Sequence, residues 1–234
     1  MLKYADANGV TVFVTPYQTT RSISLIGDFL DDQFASQVVI HGSFVDVYGV
    51  GLLFCGKSGI GKSEIALDLI ERGHRLVADD IVLISKKAEN VLMGAGTSFV
   101  KHFMEIRGLG IIDIKQTFGI RAIRYQKRVE VIVELENWDE SKNYDRTGLN
   151  SELNNIIGVE IETINLPIFP GKNITVIAEV IALNYLCKHY GYNAAKVFEK
   201  KLESRIKLNK KYKKGNRATS SFERNTEYFE HDFE

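Results

Sequence analysis

The chain has 234 residues, of which 44% are hydrophobic and 26% charged, a composition typical of a globular protein with a sizeable core. Thirty basic side chains balance thirty acidic ones, so the whole molecule is not a polycation that spreads on nucleic acid or anionic lipid. Two cysteines do not make a disulfide framework, no secretory signal opens the chain, and no apolar run approaches the ~18–20 residues that span a bilayer. We therefore expect a soluble protein of the reducing cytoplasm, without membrane or nucleic-acid partners.

The first predicted elements are a short strand and a helix. Residues 12–15 read as a strand that ends at the turn of Pro16. An amphipathic helix follows, with apolar positions at spacings of three and four: Ile23, Ile26, Leu30 and Phe34. The candidates for its N-cap are Thr19 and Thr20.

From about residue 38 the pattern predicts an α/β core. Strands are predicted at residues 38–40, 43–49 and 50–55, again at 75–85, and at 129–135. The run at 50–55 is apolar without alternation, as expected of a strand that is buried on both faces. Two helices are expected to end at glycines, one at Gly73 and one over residues 175–190 at Gly191. Alternating strands and helices of this kind indicate an α/β fold.

The last 35 residues differ in composition from the core. Residues 200–217 hold nine Lys or Arg against one Glu, in a helix-like stretch whose apolar stripe ends at Leu208. Residues 218–234 are polar and then acidic. We interpret this region as a helix that continues into a solvated, partly disordered tail.

A phosphate-binding loop follows the strand at 50–55 and precedes a helical pattern. Its residues, which fit G-x-x-x-x-G-K-[ST], are Gly56, Lys57, Ser58, Gly59, Ile60, Gly61, Lys62 and Ser63. Glycines let backbone N–H groups approach phosphate oxygens, and the helix that follows directs its positive end to the same place. Lys62 can reach the β- and γ-phosphates, and the Ser63 hydroxyl can bind Mg²⁺. The loop predicts binding of a nucleoside triphosphate but does not identify the acceptor.

Several other residues are candidates on weaker grounds. Asp79 and Asp80 follow a probable core strand, where a carboxylate can hold Mg²⁺ or accept a hydroxyl proton, or can start a turn; the spacing does not decide between them. Glu105, in a segment with two glycines, can serve a metal or form a surface ion pair. His41 alone is typical of a core histidine, and Arg146 alone of a loop charge. Cys55, beside the loop, is interpreted as a small buried hydrophobe and not as a nucleophile.

Taken together, these segments resemble the HPr kinase/phosphorylases. The resemblance covers residues 39–201 and rests on four blocks in this order: HGSFVDVYGVGLLFCGKSGIGKSEIALDLIERGHRLVADD (41–80), MEIRGLGIID (104–113), YDRTGL (144–149) and PIFPGKN (167–173). The HG-x₃-VD-x-YG block and the RGHRL-x-ADD block are not general features of phosphate-loop proteins. Residues 8–36 resemble the last part of the separate N-terminal domain of that family.

The resemblance implies a bifunctional enzyme with the phosphoenolpyruvate-carboxykinase-like nucleotide-binding fold. It would use ATP or pyrophosphate, with Mg²⁺, to phosphorylate a serine of HPr, the small phosphocarrier protein of the sugar phosphotransferase system. With inorganic phosphate it would remove that group again. The family assembles as hexamers, so a homo-hexamer is the implied assembly.

The resemblance also assigns residues. The catalytic positions are His41, Lys62, Asp80 and Arg146, with Asp80 as general base toward the serine and as general acid in reverse. Ser63 and Glu105 become the metal ligands, and Asp79 a supporting neighbour. Residues 104–113 match the segment used in both reactions. The segment tied to dephosphorylation matches Pro167, Ile168, Phe169, Pro170, Gly171 and Lys172.

Two departures from the family pattern bear on activity. Lys57 stands where an acidic residue is common, which alters the rim of the loop. Phe169 and Lys172 stand where the dephosphorylation segment, commonly P-V-R-P-G-R, has arginines. Because a guanidinium binds phosphate through two parallel hydrogen bonds, we expect phosphorylase activity to be weaker than kinase activity.

The expected organisation is a remnant of the N-terminal domain at residues 1–36, a catalytic domain at 37–208 and a tail at 209–234. Two alternatives to the leading function are a phosphate-loop kinase with a different acceptor and a nucleotide-gated interaction module. Transfer of phosphate to HPr would distinguish the leading function from both alternatives.

Overall fold

The computed structural model describes residues 2–88, 90–97, 101–141, 152–169 and 171–215. In these parts of the chain the helices are α1 (Leu2–Ala7), α2 (Thr19–Gln33), α3 (Lys62–Glu71), α4 (Ile114–Phe118), α5 (Ile174–His189) and α6 (Ala194–Gly215), with a 3₁₀ turn at Ile120–Ala122. No helix in the described part of the chain is both long and apolar enough to cross a bilayer.

The strands fall into three sheets. They are β1 (Gln37–His41), β2 (Ser43–Val47), β3 (Val50–Gly56), β4 (Arg75–Ala78), β5 (Ile81–Ala88), β6 (Val91–Gly96), β7 (Phe103–Ile106), β8 (Gly110–Asp113), β9 (Gln126–Arg128), β10 (Val131–Asn137), β11 (Glu152–Ile156) and β12 (Val159–Ile168). A six-stranded sheet has the order β11-β12-β10-β3-β2-β4, a four-stranded sheet the order β1-β5-β6-β9, and β7 and β8 form a hairpin.

The centre of the six-stranded sheet is parallel. Strand β10 pairs in parallel with β3 on one side and with β12 on the other, and Leu135 faces Gly56 in the register. The outer pairs are antiparallel. The carboxyl ends of β3, β10 and β12 therefore meet at one edge of the sheet, which is the edge where open α/β sheets bind ligands.

The domain has three layers. Alternate residues of β3 face opposite sides, because successive side chains of a strand point to opposite faces. Leu52 and Phe54 pack in a buried cluster with residues of α3 and α5, whereas Leu53 packs with Val82 and Ile84 of the four-stranded sheet. The central strand is thus buried on both faces, as its continuous apolar run predicts, and it holds the start of the phosphate loop rigidly.

The N-terminal predictions are partly wrong. Residues 12–15 form no strand, and the helix α1 precedes them. Helix α2 exists as predicted, but its N-cap is Gln18, because Thr19 and Thr20 are already its first helical residues. Its apolar stripe, formed by Ile23, Ile26 and Leu30, is exposed and packs into neither buried cluster.

The predicted helix ends are confirmed. Gly73 follows the last turn of α3 with φ 96°, and Gly191 follows α5 with φ 91°. In this left-handed region glycine avoids the clash of a Cβ atom, so it ends helices at little cost. The basic stretch is helical to Gly215 within α6, and residues 216–234, including most of the predicted tail, lie outside the described residues.

Candidate active site

The phosphate loop connects β3 to α3 through glycines with positive φ. Gly56, Gly59 and Gly61 have φ of 134°, 79° and 105°. At Gly56 a side chain is also excluded by space, because a Cβ atom would lie 2.5 Å from the carbonyl oxygen of Leu135. The first N–H groups of α3, which have no partner inside the helix, therefore open onto the loop and can bind an anion.

Lys62 lies over this loop. Its ammonium group donates to the carbonyl oxygens of Gly56 at 3.0 Å and of Lys57 at 3.1 Å. Both partners are backbone atoms of the loop itself, so the positive charge is held where phosphate oxygens would sit.

Asp79 is buried beneath the loop and holds two serines. The Ser63 hydroxyl donates to its Oδ2 at 2.9 Å and to its Oδ1 at 3.1 Å, and Ser43 donates to Oδ1 at 2.5 Å. Burial raises the pKa of the Asp79 carboxyl, and the hydrogen bonds from the two serines oppose that rise. Because Ser63 directs its proton to Asp79, the lone pairs of its oxygen are free to face a cation in the loop.

Asp80 points the other way, to the solvent-exposed rim. Its side chain is 73% exposed, and its Oδ1 lies 3.3 Å from Nδ1 of His41 at the end of β1. The residue has φ 62°, a left-handed conformation that aspartate tolerates better than most residues. The backbone turn after β4 thus directs one carboxylate to the serines beneath the loop and the next to the exposed rim of the site.

The β7–β8 hairpin completes the site. It places Glu105 and Arg107 beside the loop, and a Cβ atom on Gly59 would lie 2.7 Å from Nη1 of Arg107. The resulting cleft has a volume of about 280 Å³. Its lining residues are Ser43, Ser58, Gly59, Gly61, Lys62, Ser63, Glu64, Asp79, Asp80, Glu105 and Arg107.

The sequence that forms this site is similar to those of known proteins. The sequence model of the family described as "HPr Serine kinase C-terminal domain" matches residues 32–202. The chain is 57% identical over 236 residues to the HPr kinase/phosphorylase of Chloroherpeton thalassium and 56% identical over 219 residues to that of Prosthecochloris aestuarii. It belongs to the HPr kinase/phosphorylase family.

The solved structure of the Hpr(Ser) kinase/phosphatase from Coxiella burnetii is also similar, with 33% identity and a TM-score of 0.61. The match covers 69% of this chain and 98% of that one. This match, with that of the family, confirms the predicted α/β fold of the phosphoenolpyruvate-carboxykinase-like type. The two curated relatives are matched over 100% and 93% of this chain, which spans only 67% and 64% of their own lengths.

The structure brings most of the residues predicted from the family together. Lys62, Ser63, Asp80 and Glu105 line the cleft, and His41 joins it through Asp80. Gly56, Lys57 and Ile60 shape the loop without lining the cleft. Arg146 lies in residues 142–151, outside the described residues.

Two lining residues, Ser43 and Glu64, had no role of their own among the predictions from sequence, and Arg107 had only that of its segment, residues 104–113. Ser43 is the first residue of a fully buried strand, Arg107 lies between Glu105 and the two glycines, and Glu64 follows the loop. An unexplained polar residue inside a buried strand was the available signal for Ser43. Its contact with Asp79 spans 36 residues of sequence, so no local pattern could identify the partner.

None of the described residues of the dephosphorylation segment lines the phosphate cleft. Phe169 packs edge-to-face on Trp138, with ring centroids 5.6 Å apart. Lys172 donates to the carbonyl oxygen of Pro167 at 2.8 Å and lies 5.2 Å from the centroid of the Phe169 ring. Burial lowers the pKa of Lys172. Pro170 is outside the described residues.

The chemistry of the cleft fits Mg²⁺. Ser63, Asp79 and Glu105 offer oxygen atoms, which are the ligands that Mg²⁺ prefers. No group of three His, Cys, Asp or Glu side chains in the described part of the chain could hold a metal ion alone. That is expected where substrate phosphates and water supply most of the ligands.

Cys55 is no nucleophile at neutral pH. Burial and the nearby charge of Glu134 raise the pKa of its thiol, and the opposing effect of Lys62 is smaller, so that the pKa is about 12. Because the thiolate is the reactive form, this thiol acts as the small buried hydrophobe that the sequence predicts.

Proposed function

We propose that this chain is the catalytic part of a bifunctional enzyme that phosphorylates a serine of HPr and removes the phosphate again. ATP or pyrophosphate is the donor, and residues 37–208 form the catalytic unit. One observation carries the proposal: the phosphate loop and the carboxylate of Asp80 open to the same cleft. The printed names of the relatives, HPr kinase/phosphorylase, support the acceptor.

In the forward direction the loop and Lys62 hold the donor phosphates. Asp80 accepts the proton of the acceptor serine, whose oxygen then attacks the terminal phosphorus while the bridging bond of the donor breaks. His41 lies 3.3 Å from the Asp80 carboxylate, where a hydrogen bond orients that group. A serine hydroxyl is a weak nucleophile until such a base is in place.

Mg²⁺ would be held by Ser63 and Glu105, with Asp79 behind Ser63, and when bound it neutralises charge on the transferred group. Asp79 keeps the Ser63 proton turned away from the loop. Arg107 lies beside Gly59 and adds a further positive charge at the loop.

In the reverse direction an oxygen of inorganic phosphate attacks the phosphorus of phosphoserine. Asp80, now protonated, gives its proton to the departing serine oxygen, and pyrophosphate is the product. We infer that this direction is the weaker one. Phe169 and Lys172 lack the guanidinium groups of the common pattern. Phe169 is packed on Trp138, and Lys172 is bound to a backbone carbonyl oxygen.

The proposal is tested by incubating the protein with labelled ATP, Mg²⁺ and purified HPr, with Asp80→Asn as the matched variant. We expect label on a serine of HPr with the wild type and its loss in the variant. Nucleotide binding without transfer to HPr contradicts the proposal and favours a different acceptor or an interaction module.

The weak reverse reaction has its own test. Phe169→Arg should increase the release of phosphate from serine-phosphorylated HPr, with Phe169→Leu as the control that lacks the guanidinium. No gain in Phe169→Arg contradicts the inference about this position and leaves the kinase proposal standing.

The proposal extends to a homo-hexamer in the cytoplasm. The resemblance to the family implies the assembly, and the composition predicts the compartment. A mass in solution six times that of one chain is the expected result, and a monomer contradicts the assembly.

A further inference from the structure

A second concavity, of about 310 Å³, lies at the far end of α3 from the phosphate loop. The residues of its lining that matter here are Asp46, Tyr48, Arg72, His74, Arg75 and Arg124. It shares no lining residue with the phosphate cleft. The ten residues of α3, about 15 Å at 1.5 Å per residue, separate the two.

Two sequence blocks that identify the family meet in this concavity, which we call the arginine cleft. The VD-x-YG block contributes Asp46 and Tyr48, and the RGHRL block contributes Arg72, His74 and Arg75. None of these side chains has a part in the phosphoryl transfer described above.

Arg72 is oriented from behind by a buried carboxylate. Its Nε donates to Oε1 of Glu179 at 2.9 Å and its Nη2 to Oε2 at 2.7 Å, while the Glu179 side chain is only 11% exposed. Nε2 of His74 lies 3.0 Å from the same Oε1. Within the described residues no partner is found for Nη1 of Arg72.

Arg124 repeats this arrangement on another wall. Its Nη1 donates to Oδ2 of Asp46 at 2.7 Å, and its Nε donates to the carbonyl oxygen of Gln126 at 3.2 Å. Asp46 is 4% exposed. In the part of the chain that the structure describes, Nη2 of Arg124 has no hydrogen-bond partner.

Arg75 is the third arginine. It begins β4 opposite Asp46 in the strand register, and its side chain is exposed. Its backbone pairs with β2, and its guanidinium makes no hydrogen bond or ion pair to another residue of the described parts. Among the lining residues three guanidinium groups face one carboxylate, that of Asp46, while Glu179 and Asp68 act on Arg72 from outside the lining. Unused N–H donors remain on all three arginines.

We propose that the arginine cleft binds a small ligand that carries a phosphate or carboxylate group, at a site separate from the phosphate loop. Planar guanidinium groups that are fixed by buried carboxylates lose little freedom when they bind an oxyanion, and their forked donors match its geometry. A volume of this size accommodates a small metabolite. The aromatic ring of Tyr48 closes one side of the arginine cleft. It packs edge-to-face on His74, with ring centroids 4.7 Å apart.

The test is calorimetric titration of the protein with inorganic phosphate and, separately, with citrate. A non-hydrolysable ATP analogue with Mg²⁺ saturates the phosphate loop throughout, so that loop binding does not contribute. Arg75→Ala is the test variant, because its exposed side chain leaves the fold intact. Arg205→Ala, which removes an exposed arginine of α6, is the matched control for overall charge.

We expect binding of the probe to weaken about tenfold in Arg75→Ala, because one charge-assisted hydrogen bond is lost. Binding should stay unchanged in Arg205→Ala. Arg75→Lys, which keeps the charge and loses the fork, should fall between. Binding of only one of the two probes supports the site and identifies the recognised group. Equal binding in Arg75→Ala and wild type, equal loss in Arg205→Ala, or no binding of either probe at about 20 mM overturns the proposal.

Discussion

Asp79 and Asp80 are chemically identical and adjacent, yet they occupy different environments. Asp79 is 6% exposed and receives hydrogen bonds from Ser43 and Ser63, while the Asp80 side chain is 73% exposed beside His41. The difference comes from the backbone, because Asp80 has φ 62° and leaves the strand direction of β4. A buried carboxylate suits the serine and metal side of the cleft, and an exposed one can meet a protein acceptor.

The conformation of Asp80 makes a sharp prediction. Asp80→Asn should reduce the rate of phosphoryl transfer by about 100- to 10,000-fold, because the base is lost, without lowering the melting temperature, since asparagine tolerates the left-handed region. Asp80→Ala should lose the same activity and about 1 kcal/mol of stability, because alanine lacks the short polar side chain whose local hydrogen bonds make this conformation tolerable for aspartate and asparagine. Transfer assays and thermal unfolding measure the two effects. Equal stability of both variants argues against strain at this residue.

Ser43 should act through Asp79. Ser43→Ala removes one of the hydrogen bonds that hold the buried carboxylate, and we expect a loss of about 1–2 kcal/mol in the free energy of unfolding. The Mg²⁺-dependent part of nucleotide affinity should fall as well, while affinity without Mg²⁺ stays the same. Titrations with a fluorescent nucleotide, with and without Mg²⁺, check this. Ser43→Thr, which keeps the hydroxyl, should restore both, and failure to do so contradicts the assignment.

At the scale of elements, Glu179 ties α3 to α5. It lies on α5 and accepts hydrogen bonds from Arg72, the C-cap of α3, while His74 lies in contact just beyond. The hydrogen bonds from Arg72, and then from His74, lower the pKa of the Glu179 carboxyl from 4.5 to about 2 against the effect of burial. This pair of helices covers one face of the central sheet, so the contact supports the layer that carries the phosphate loop.

The depressed pKa gives a pH dependence with a definite sign. A carboxyl whose pKa is lower in the folded than in the unfolded protein adds stability that is full above pH 4.5 and is lost as the pH falls toward 2. Glu179→Gln should therefore lower the free energy of unfolding by about 2 kcal/mol at pH 7 and flatten its decline in acid. Denaturant unfolding between pH 3 and 7 checks this. An unchanged acid slope in the variant contradicts the role of Glu179.

At the scale of the whole molecule, residues 198–207 of the C-terminal helix do not pack in the buried clusters of the core. From Phe198 to Lys207 every side chain of α6 is exposed. A chain shortened after residue 208 should thus keep its transfer activity and lose less than about 0.5 kcal/mol of stability. Unfolding and transfer assays on the shortened chain test this division. A large loss of either shows that the segment beyond 208 belongs to the catalytic unit.

Much of the architecture could be predicted because its signals are local. The continuous apolar run of β3, the glycines that end α3 and α5, and the phosphate loop between strand and helix all lie within short windows of sequence. The N-terminal predictions fared worse. Residues 12–15 have the composition of a strand but find no partner strand, and the apolar stripe of α2 is exposed. A strand or an amphipathic helix needs a neighbour, and composition does not supply one.

By itself the sequence determined the phosphate loop, because glycine, lysine and serine at fixed spacing act through the backbone they belong to. Its four blocks also determined the family. Only the tertiary structure decided what each carboxylate faces. The contacts of Asp79 with Ser43, of Asp80 with His41 and of Glu179 with Arg72 join positions 36, 39 and 107 residues apart. Such contacts depend on how strands and helices pack, and so does the arginine cleft, whose walls come from separate parts of the chain.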